Sequence, residues 1–229
     1  MVVIVVLMAV SFVIPLSAIS DGEVAAPSAI LMEPNTGKIL YEKNANELRP
    51  CASITKVMTL LLVMEAIDSG KISLDDQVTA SAHAASMGGS DIWLKEGETM
   101  SVNDLIKATV IMSANDAAVV LAEHVYGTED EFVKQMNIRA KQLGMNDTTF
   151  KNCNGLDEDG HLTTAHDVAL MSAELIKHEK IFDYTLTWMD YVRDGETQLV
   201  NTNKLIRSYK GITGLKTGTT SQASSCISA

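Results

Sequence analysis

The first twenty positions, MVVIVVLMAVSFVIPLSAIS, are apolar almost throughout and carry no charge. Pro15 breaks the run, and the small residues Ala18 and Ser20 stand at −3 and −1 of a cut before Asp21, the pattern of a secretory signal peptide. The first basic residue is Lys38, so the positive n-region of such signals is missing and the stretch also reads as an uncleaved anchor. Either reading puts residues 21–229 outside the cytoplasm.

Past the leader the period of the pattern changes. Two short apolar runs, Ala29 to Met32 and Ile39 to Glu42, flank Pro34-Asn35-Thr36-Gly37, which predicts a β-hairpin closed by a tight turn. From Ser53 to Ser69 the apolar positions Val57, Leu60, Leu61 and Met64 recur at helical spacing and stop at Gly70. So many apolar positions all round the helix predict that it is buried. Between Ser73 and about Lys180 the segments SVNDLIKATVIM, NDAAVVLAEHVYG, EDEFVKQMNIRAKQLG and TTAHDVALMSAELIKHEK read as helices joined by turns such as NGLDEDGH, a helical lobe between strand elements. The tail, KGITGLKTGTTSQASSCISA, has little helix propensity and predicts a strand from Ile212, a turn at Ser221-Gln222-Ala223 and a second strand.

Composition narrows the function classes. With 229 residues, 46% of them hydrophobic, the chain is long enough for a real core. A net charge of −11 with no basic block argues against nucleic acid or an anionic lipid surface as partner. Cys51, Cys153 and Cys226 are odd in number and irregular in spacing, which fits neither a disulfide framework nor a zinc site and leaves one pair open.

Three short stretches carry candidate chemistry. Ser53-Ile54-Thr55-Lys56 puts a hydroxyl and an ammonium at i and i+3, on one face of a helix, where a lysine of depressed basicity takes the serine proton. Ser53 fits a helix N-cap just as well, and a Ser-x-x-Lys arises by chance about once in a chain of this length. Ser113-Ala114-Asn115, in a turn between two apolar helices, offers a second hydroxyl for proton relay and an amide for a substrate carbonyl. Ser101-Val102-Asn103 also fits Ser-x-Asn, but Asp104 behind it matches a helix cap. Lys216-Thr217-Gly218, expected by chance only about 0.05 times, lies along a strand edge where Lys216 and Thr217 bind a carboxylate and Gly218 admits a substrate backbone.

The three motifs in this order resemble the signature of the active-site serine penicillin-recognising enzymes. The segments EPNTGKILYEKNANELRPCASITKVMT, IMSANDAAVVLAEHV and GITGLKTGTTSQA look like the low-molecular-mass penicillin-binding proteins, serine D-alanyl-D-alanine carboxypeptidases of peptidase family S11. The resemblance runs from about Ala29 to the last residue. It implies an α/β (α+β) fold of the serine β-lactamase and DD-peptidase kind, an antiparallel sheet flanked by helices with an inserted all-helical lobe. It also implies that Ser53 is the nucleophile, Lys56 its base and Ser113 the relay to the leaving D-alanine, with Asn115, Lys216, Thr217, Gly218 and Thr219 binding substrate. The oxyanion hole would be the backbone N–H groups of Ser53 and Thr219, the latter standing where some relatives carry a histidine. The substrates implied are peptidoglycan stem peptides ending in D-Ala-D-Ala, the inhibitors β-lactam antibiotics, and no metal or organic cofactor is called for.

Departures from the family pattern set further expectations. The chain stops at Ala229, before the last strands and helix of the family's catalytic domain, an arginine beyond Lys-Thr-Gly, and a C-terminal domain with a membrane anchor. The catalytic domain, 21–229, is therefore expected to be incomplete, with an open sheet edge, an uncovered apolar face, low stability and weak activity. Membrane attachment is then expected only through an uncleaved N-terminus or the absent anchor. Two rival readings share the motifs. One is a serine β-lactamase, although no glutamate after Asn115 stands in a Glu-x-x-Leu-Asn setting. The other is a catalytically weak wall-binding protein of the same fold. A metal hydrolase using Asp157, Asp159, His161, His166 and Asp167 has the wrong histidine spacing for a zincin, and Thr163 or Thr164 capping a helix explains that stretch better.

Overall fold

A computed structural model describes Gly22 and residues 24–229; the leader reading of residues 1–20 lies outside the described residues. Strand β1 (Ala29–Glu33) pairs antiparallel with β2 (Lys38–Lys43). The Glu33 carboxylate closes the turn between them by accepting from the Asn35 and Thr36 N–H groups and the Thr36 hydroxyl. The chain then forms a 3₁₀ turn, Ala52–Thr55, that runs directly into α1 (Lys56–Asp68). Helix α1 buries Val57, Met58 and Leu60 through Met64 on all its sides, each worth roughly 1.5–3 kcal/mol of transfer free energy. It ends where Gly70 takes φ +72, a conformation that costs other residues a Cβ clash.

The helical lobe follows, with one element the periodicity misses. A three-residue hairpin, β3 (Gln77–Thr79) with β4 (Thr99–Ser101), brackets the short helix α2 (Ala82–Ala85). Helices α3 (Val102–Lys107), α4 (Asn115–Tyr126), α5 (Glu129–Gln142) and α6 (Ala165–Leu175) complete the lobe. Ser101 caps α3 by accepting from the Asp104 N–H at 3.1 Å, and Thr164 caps α6 through the Asp167 N–H at 3.0 Å, as the patterns predict. Helix α1 packs against α4, α5 and α6, so it lies at the centre of the core.

A second unanticipated hairpin, β5 (Met189–Val192) with β6 (Thr197–Val200), precedes the tail. In the tail, β7 (Lys216–Thr220) pairs antiparallel with β8 (Ser224–Ser228) around the turn at residues 221–223. The strand expected from Ile212 is not formed, because β7 begins at Lys216. Residues 212–215 pack on Thr185 instead. The Thr185 hydroxyl donates to the Thr213 carbonyl at 2.8 Å, and a Cβ on Gly214 would lie 2.7 Å from the Thr185 carbonyl oxygen.

Both β1 and β8 rest on α6, with Ser172 Oγ and Ser228 Oγ 2.8 Å apart, yet β1–β2 and β7–β8 are separate ladders among the described residues. The antiparallel strands expected beside the helices are thus present as two hairpins on one helix, with Leu31, Leu40 and Ile227 exposed. The fold is that of antiparallel hairpins flanked by helices with a helical lobe between them. No helix among the described residues is long and apolar enough to cross a membrane. All three cysteines are free thiols.

Candidate active site

Ser53 is not a helix cap: it sits inside the 3₁₀ turn, and no side chain caps either that turn or α1. Ala52 before it holds φ +48, a strained conformation for a residue with a Cβ. One turn on, at the first position of α1, the Lys56 ammonium lies 3.1 Å from Ser53 Oγ. Its other two contacts are the Asn115 Oδ1 at 2.6 Å and the Asn154 carbonyl at 2.7 Å. Lys56 is fully buried, and this desolvation pulls its pKa down to about 7 although the Asp116 charge opposes the shift. A neutral amine has two N–H donors and one lone pair. With both donors taken by the two carbonyl oxygens, the lone pair is left for the Ser53 hydroxyl proton.

The second wall is built where a π turn, Ala108–Met112, ends at Ser113 in the left-handed region, φ +64. That conformation turns the chain between α3 and α4 and aims the Ser113 hydroxyl inward. Its Oγ is buried with no hydrogen-bond partner among the described residues, a position that a reacting group or a water would satisfy. Asn115 opens α4, donating its side-chain N–H to the Gly88 carbonyl at 2.7 Å and its backbone N–H to that of Ser90 at 2.6 Å.

The third wall is β7. Lys216 is buried, and both burial and the nearby Lys56 charge push its pKa well below the ordinary lysine value; its ammonium donates to the Thr217 carbonyl at 2.9 Å. Gly218 lies flat against the 3₁₀ turn. A Cβ there would stand 2.8 Å from Ser53 N and 3.0 Å from the Cys51 carbonyl oxygen, so the residue is glycine because the two backbones touch. Thr217 is half-buried and Thr219 exposed, on the alternate face of the strand.

The geometry thus brings Ser53, Lys56 and Asn115 together with the Lys216 strand from three separate segments, with the buried Ser113 two residues before Asn115. The model of the D-alanyl-D-alanine carboxypeptidase family, peptidase S11, matches residues 16–229. This chain belongs to that family. It is 52% identical to the D-alanyl-D-alanine carboxypeptidase DacF of Bacillus subtilis over 207 residues, 89% of this chain and 53% of that protein. The fold superimposes on penicillin-binding protein 6B from Escherichia coli with a TM-score of 0.82 at 35% identity, over 91% of this chain and 67% of that one. It superimposes on the ampicillin-bound form of penicillin-binding protein D2 from Listeria monocytogenes with a TM-score of 0.79 at 37% identity, over 88% and 82%. The chain spans about half the length of the curated relatives it matches.

Several residues of this S11 site escape motif reading. Asn154, whose carbonyl holds Lys56, is presented by Gly155 at φ +88; a Cβ on Gly155 would fall 2.0 Å from the Ala52 carbonyl oxygen. The Asn-Gly pair signals a turn, but nothing local says that the turn lies on the 3₁₀ segment 100 residues earlier. His161 pins that loop. The Lys151 N–H donates to His161 Nδ1 at 3.2 Å, which assigns the proton to Nε2, and Nε2 donates to Thr55 Oγ1 at 2.8 Å. Burial lowers the His161 pKa to about 4, so the ring is a neutral strut.

The other members of the acidic-histidine stretch go elsewhere. Asp157 accepts from Ser221, and Asp167 accepts from the Thr148 hydroxyl and the Asp147 N–H. Asp116, next to Asn115, is buried and accepts the backbone N–H groups of Ile92, Leu94 and Ala117. It thereby anchors the segment whose Gly88 and Ser90 carbonyls hold Asn115.

Proposed function

We propose that this protein is a serine-type D-alanyl-D-alanine carboxypeptidase (EC 3.4.16.4) that removes the terminal D-alanine from peptidoglycan stem peptides. Ser53 Oγ gives its proton to the Lys56 amine and attacks the carbonyl carbon of the penultimate D-alanine. The oxyanion takes hydrogen bonds from the Ser53 and Thr219 N–H groups, which act on charge present only in the transition state. Collapse breaks the peptide bond, and the leaving amine is protonated from Lys56 through the Ser113 hydroxyl. Water then hydrolyses the Ser53 ester and regenerates the enzyme. Asn115 orients the substrate amide, while Lys216, Thr217 and Gly218 hold the substrate strand and its terminal carboxylate. Penicillins acylate the same serine, and the work is done outside the cytoplasm, where peptidoglycan is.

The single observation carrying this reading is the buried Lys56 amine, its N–H donors spent on Asn115 and Asn154 and its third contact Ser53 Oγ at 3.1 Å. The Asn154 contact is a backbone carbonyl rather than a carboxylate, which favours a peptidase over a β-lactamase that deacylates through a glutamate-held water. A fluorescent penicillin is expected to label the wild type and not Ser53→Ala. D-Alanine is expected to be released from diacetyl-L-lysyl-D-alanyl-D-alanine by the wild type alone. Labelling of Ser53→Ala would remove the nucleophile assignment, and acylation without D-alanine release would leave a penicillin binder without the peptidase.

A further inference from the structure

Thr202 is the one exposed residue in a stretch of three whose neighbours, Asn201 and Asn203, are buried. Asn201 donates its side-chain amide to the Thr187 carbonyl at 2.9 Å and its backbone N–H to that of Trp188 at 2.8 Å, and its Oδ1 accepts the Asn203 N–H at 2.8 Å. Both flanks are thus fixed, and Thr202 is held out between them. Its backbone N–H donates to the Ile111 carbonyl at 3.0 Å, two residues before Ser113. Its hydroxyl lies 2.6 Å from the Thr217 hydroxyl on the accessible face of β7, a full-strength O–H···O contact. Thr202 therefore spans the wall that ends in Ser113 and the wall that carries Lys216-Thr217-Gly218.

We propose that Thr202 is a positioning residue that determines selectivity for a substrate's terminal carboxylate by orienting the Thr217 hydroxyl proton toward it. The inference rests on the peptidase reading above. A carboxylate only accepts hydrogen bonds, so Thr217 must donate to bind one. Its oxygen then needs a donor of its own, and the hydroxyl at that distance is Thr202. The pair forms a short donor chain, Thr202 O–H to Thr217 Oγ1 and Thr217 O–H to the carboxylate, in which each bond polarises the next. Without Thr202 the Thr217 rotor is free to point its proton elsewhere, and the carboxylate loses a pre-aimed donor. The buried Lys216 ammonium donates to the Thr217 carbonyl and so does not orient the Thr217 hydroxyl.

The test uses diacetyl-L-lysyl-D-alanyl-D-alanine and the same peptide with a C-terminal carboxamide. Thr202→Val keeps the shape and loses the hydroxyl; Thr202→Ser restores it. For Thr202→Val the acid-over-amide ratio of kcat/KM is expected to fall about three- to tenfold, the size of one oriented hydrogen bond, with the loss carried by the KM of the acid. Thr202→Ser is expected to return the ratio to within about twofold of the wild type. In a Thr217→Val background, adding Thr202→Val is expected to change the ratio no further. An unchanged ratio in Thr202→Val overturns the proposal, as does an equal loss on acid and amide, which a merely structural strut would give. If the wild type releases no D-alanine at all, the peptidase reading fails instead, and the two failures are told apart by that control.

Discussion

The sharpest consequence of the proposed mechanism is a pH dependence of Ser53 acylation governed by Lys56. The base must be neutral to accept the serine proton, and burial holds its pKa at about 7 against an ordinary 10.5. At pH 5 about 1% of the amine is then neutral and at pH 8 about 90%, so the rate is expected to rise roughly 90-fold across that interval and flatten above it. An unperturbed lysine would instead give a rate still climbing about tenfold per pH unit beyond pH 8.5. The assay is the second-order labelling constant of a fluorescent penicillin whose own carboxylate stays ionised throughout. A flat profile, or a limb that continues past pH 8.5, refutes the base assignment. The same shift has a stability signature. The folded pKa lies below the unfolded one, so between pH 7 and 10.5 the unfolded chain binds more protons and stability rises with pH. From pH 7 to 9 the Lys56 contribution is about 2 kcal/mol. Lys216 shifts in the same direction, so the Lys56 part is the difference between wild type and Lys56→Met in denaturant melts at the two pH values.

Three further outcomes follow from named contacts. Gly218→Ala puts a Cβ 2.8 Å from Ser53 N and must push β7 off the 3₁₀ turn; penicillin labelling is expected to slow by about 10²-fold, and labelling at the wild-type rate would mean the strand does not touch the turn. Asp116→Ala leaves the buried N–H groups of Ile92, Leu94 and Ala117 without their acceptor, at a cost on the order of 3 kcal/mol or more, read from denaturant midpoints; a loss under about 1 kcal/mol would contradict the anchoring role. His161 is held neutral by burial, with a folded pKa of about 4 below its ordinary 6.5, so its contribution falls away as pH drops through that window, by up to about 3 kcal/mol. His161→Gln is expected to melt with a flatter pH dependence between pH 6.5 and 4, and an unchanged slope would count against the neutral strut.

What could be read along the chain was what repeats or stands close together. Helix α1 declared itself through Val57, Leu60, Leu61 and Met64, and the β1–β2 hairpin through the Pro34-Asn35-Thr36-Gly37 turn, which the Glu33 carboxylate closes. The spacings from Ser53 to Lys56 and from Ser113 to Asn115 stand out for the same reason, since each is short and fixed on local structure. The failures are equally physical. Hairpins β3–β4 and β5–β6 have strands of three and four residues, too short for a period of two to register. Residues 212–215 carry strand-like side chains but give a carbonyl to Thr185, a tertiary contact that overrides propensity. Asn154, His161 and Thr202 meet the site across about 100, 106 and 15 residues, distances over which sequence spacing carries no geometric information.

That division explains why the motif alone could not decide what Ser53 does. A serine and a lysine three apart are common, and on an exposed helix the lysine would be charged at neutral pH and useless as a base. In the proposed mechanism the chemistry arises because residues 154–155 and Asn115 close over Lys56, exclude water from it and offer carbonyl oxygens that occupy its donors without supplying a negative charge. A carboxylate in place of either carbonyl would raise the amine's pKa and keep it protonated. The depressed basicity of Lys56 is therefore a property of the packed loop and the α4 N-terminus rather than of the Ser-x-x-Lys spacing. It follows that substitutions at Gly155, which touches neither serine nor lysine but whose missing Cβ lets the loop lie on the Ala52 carbonyl, should move the pH profile of acylation toward that of an ordinary lysine.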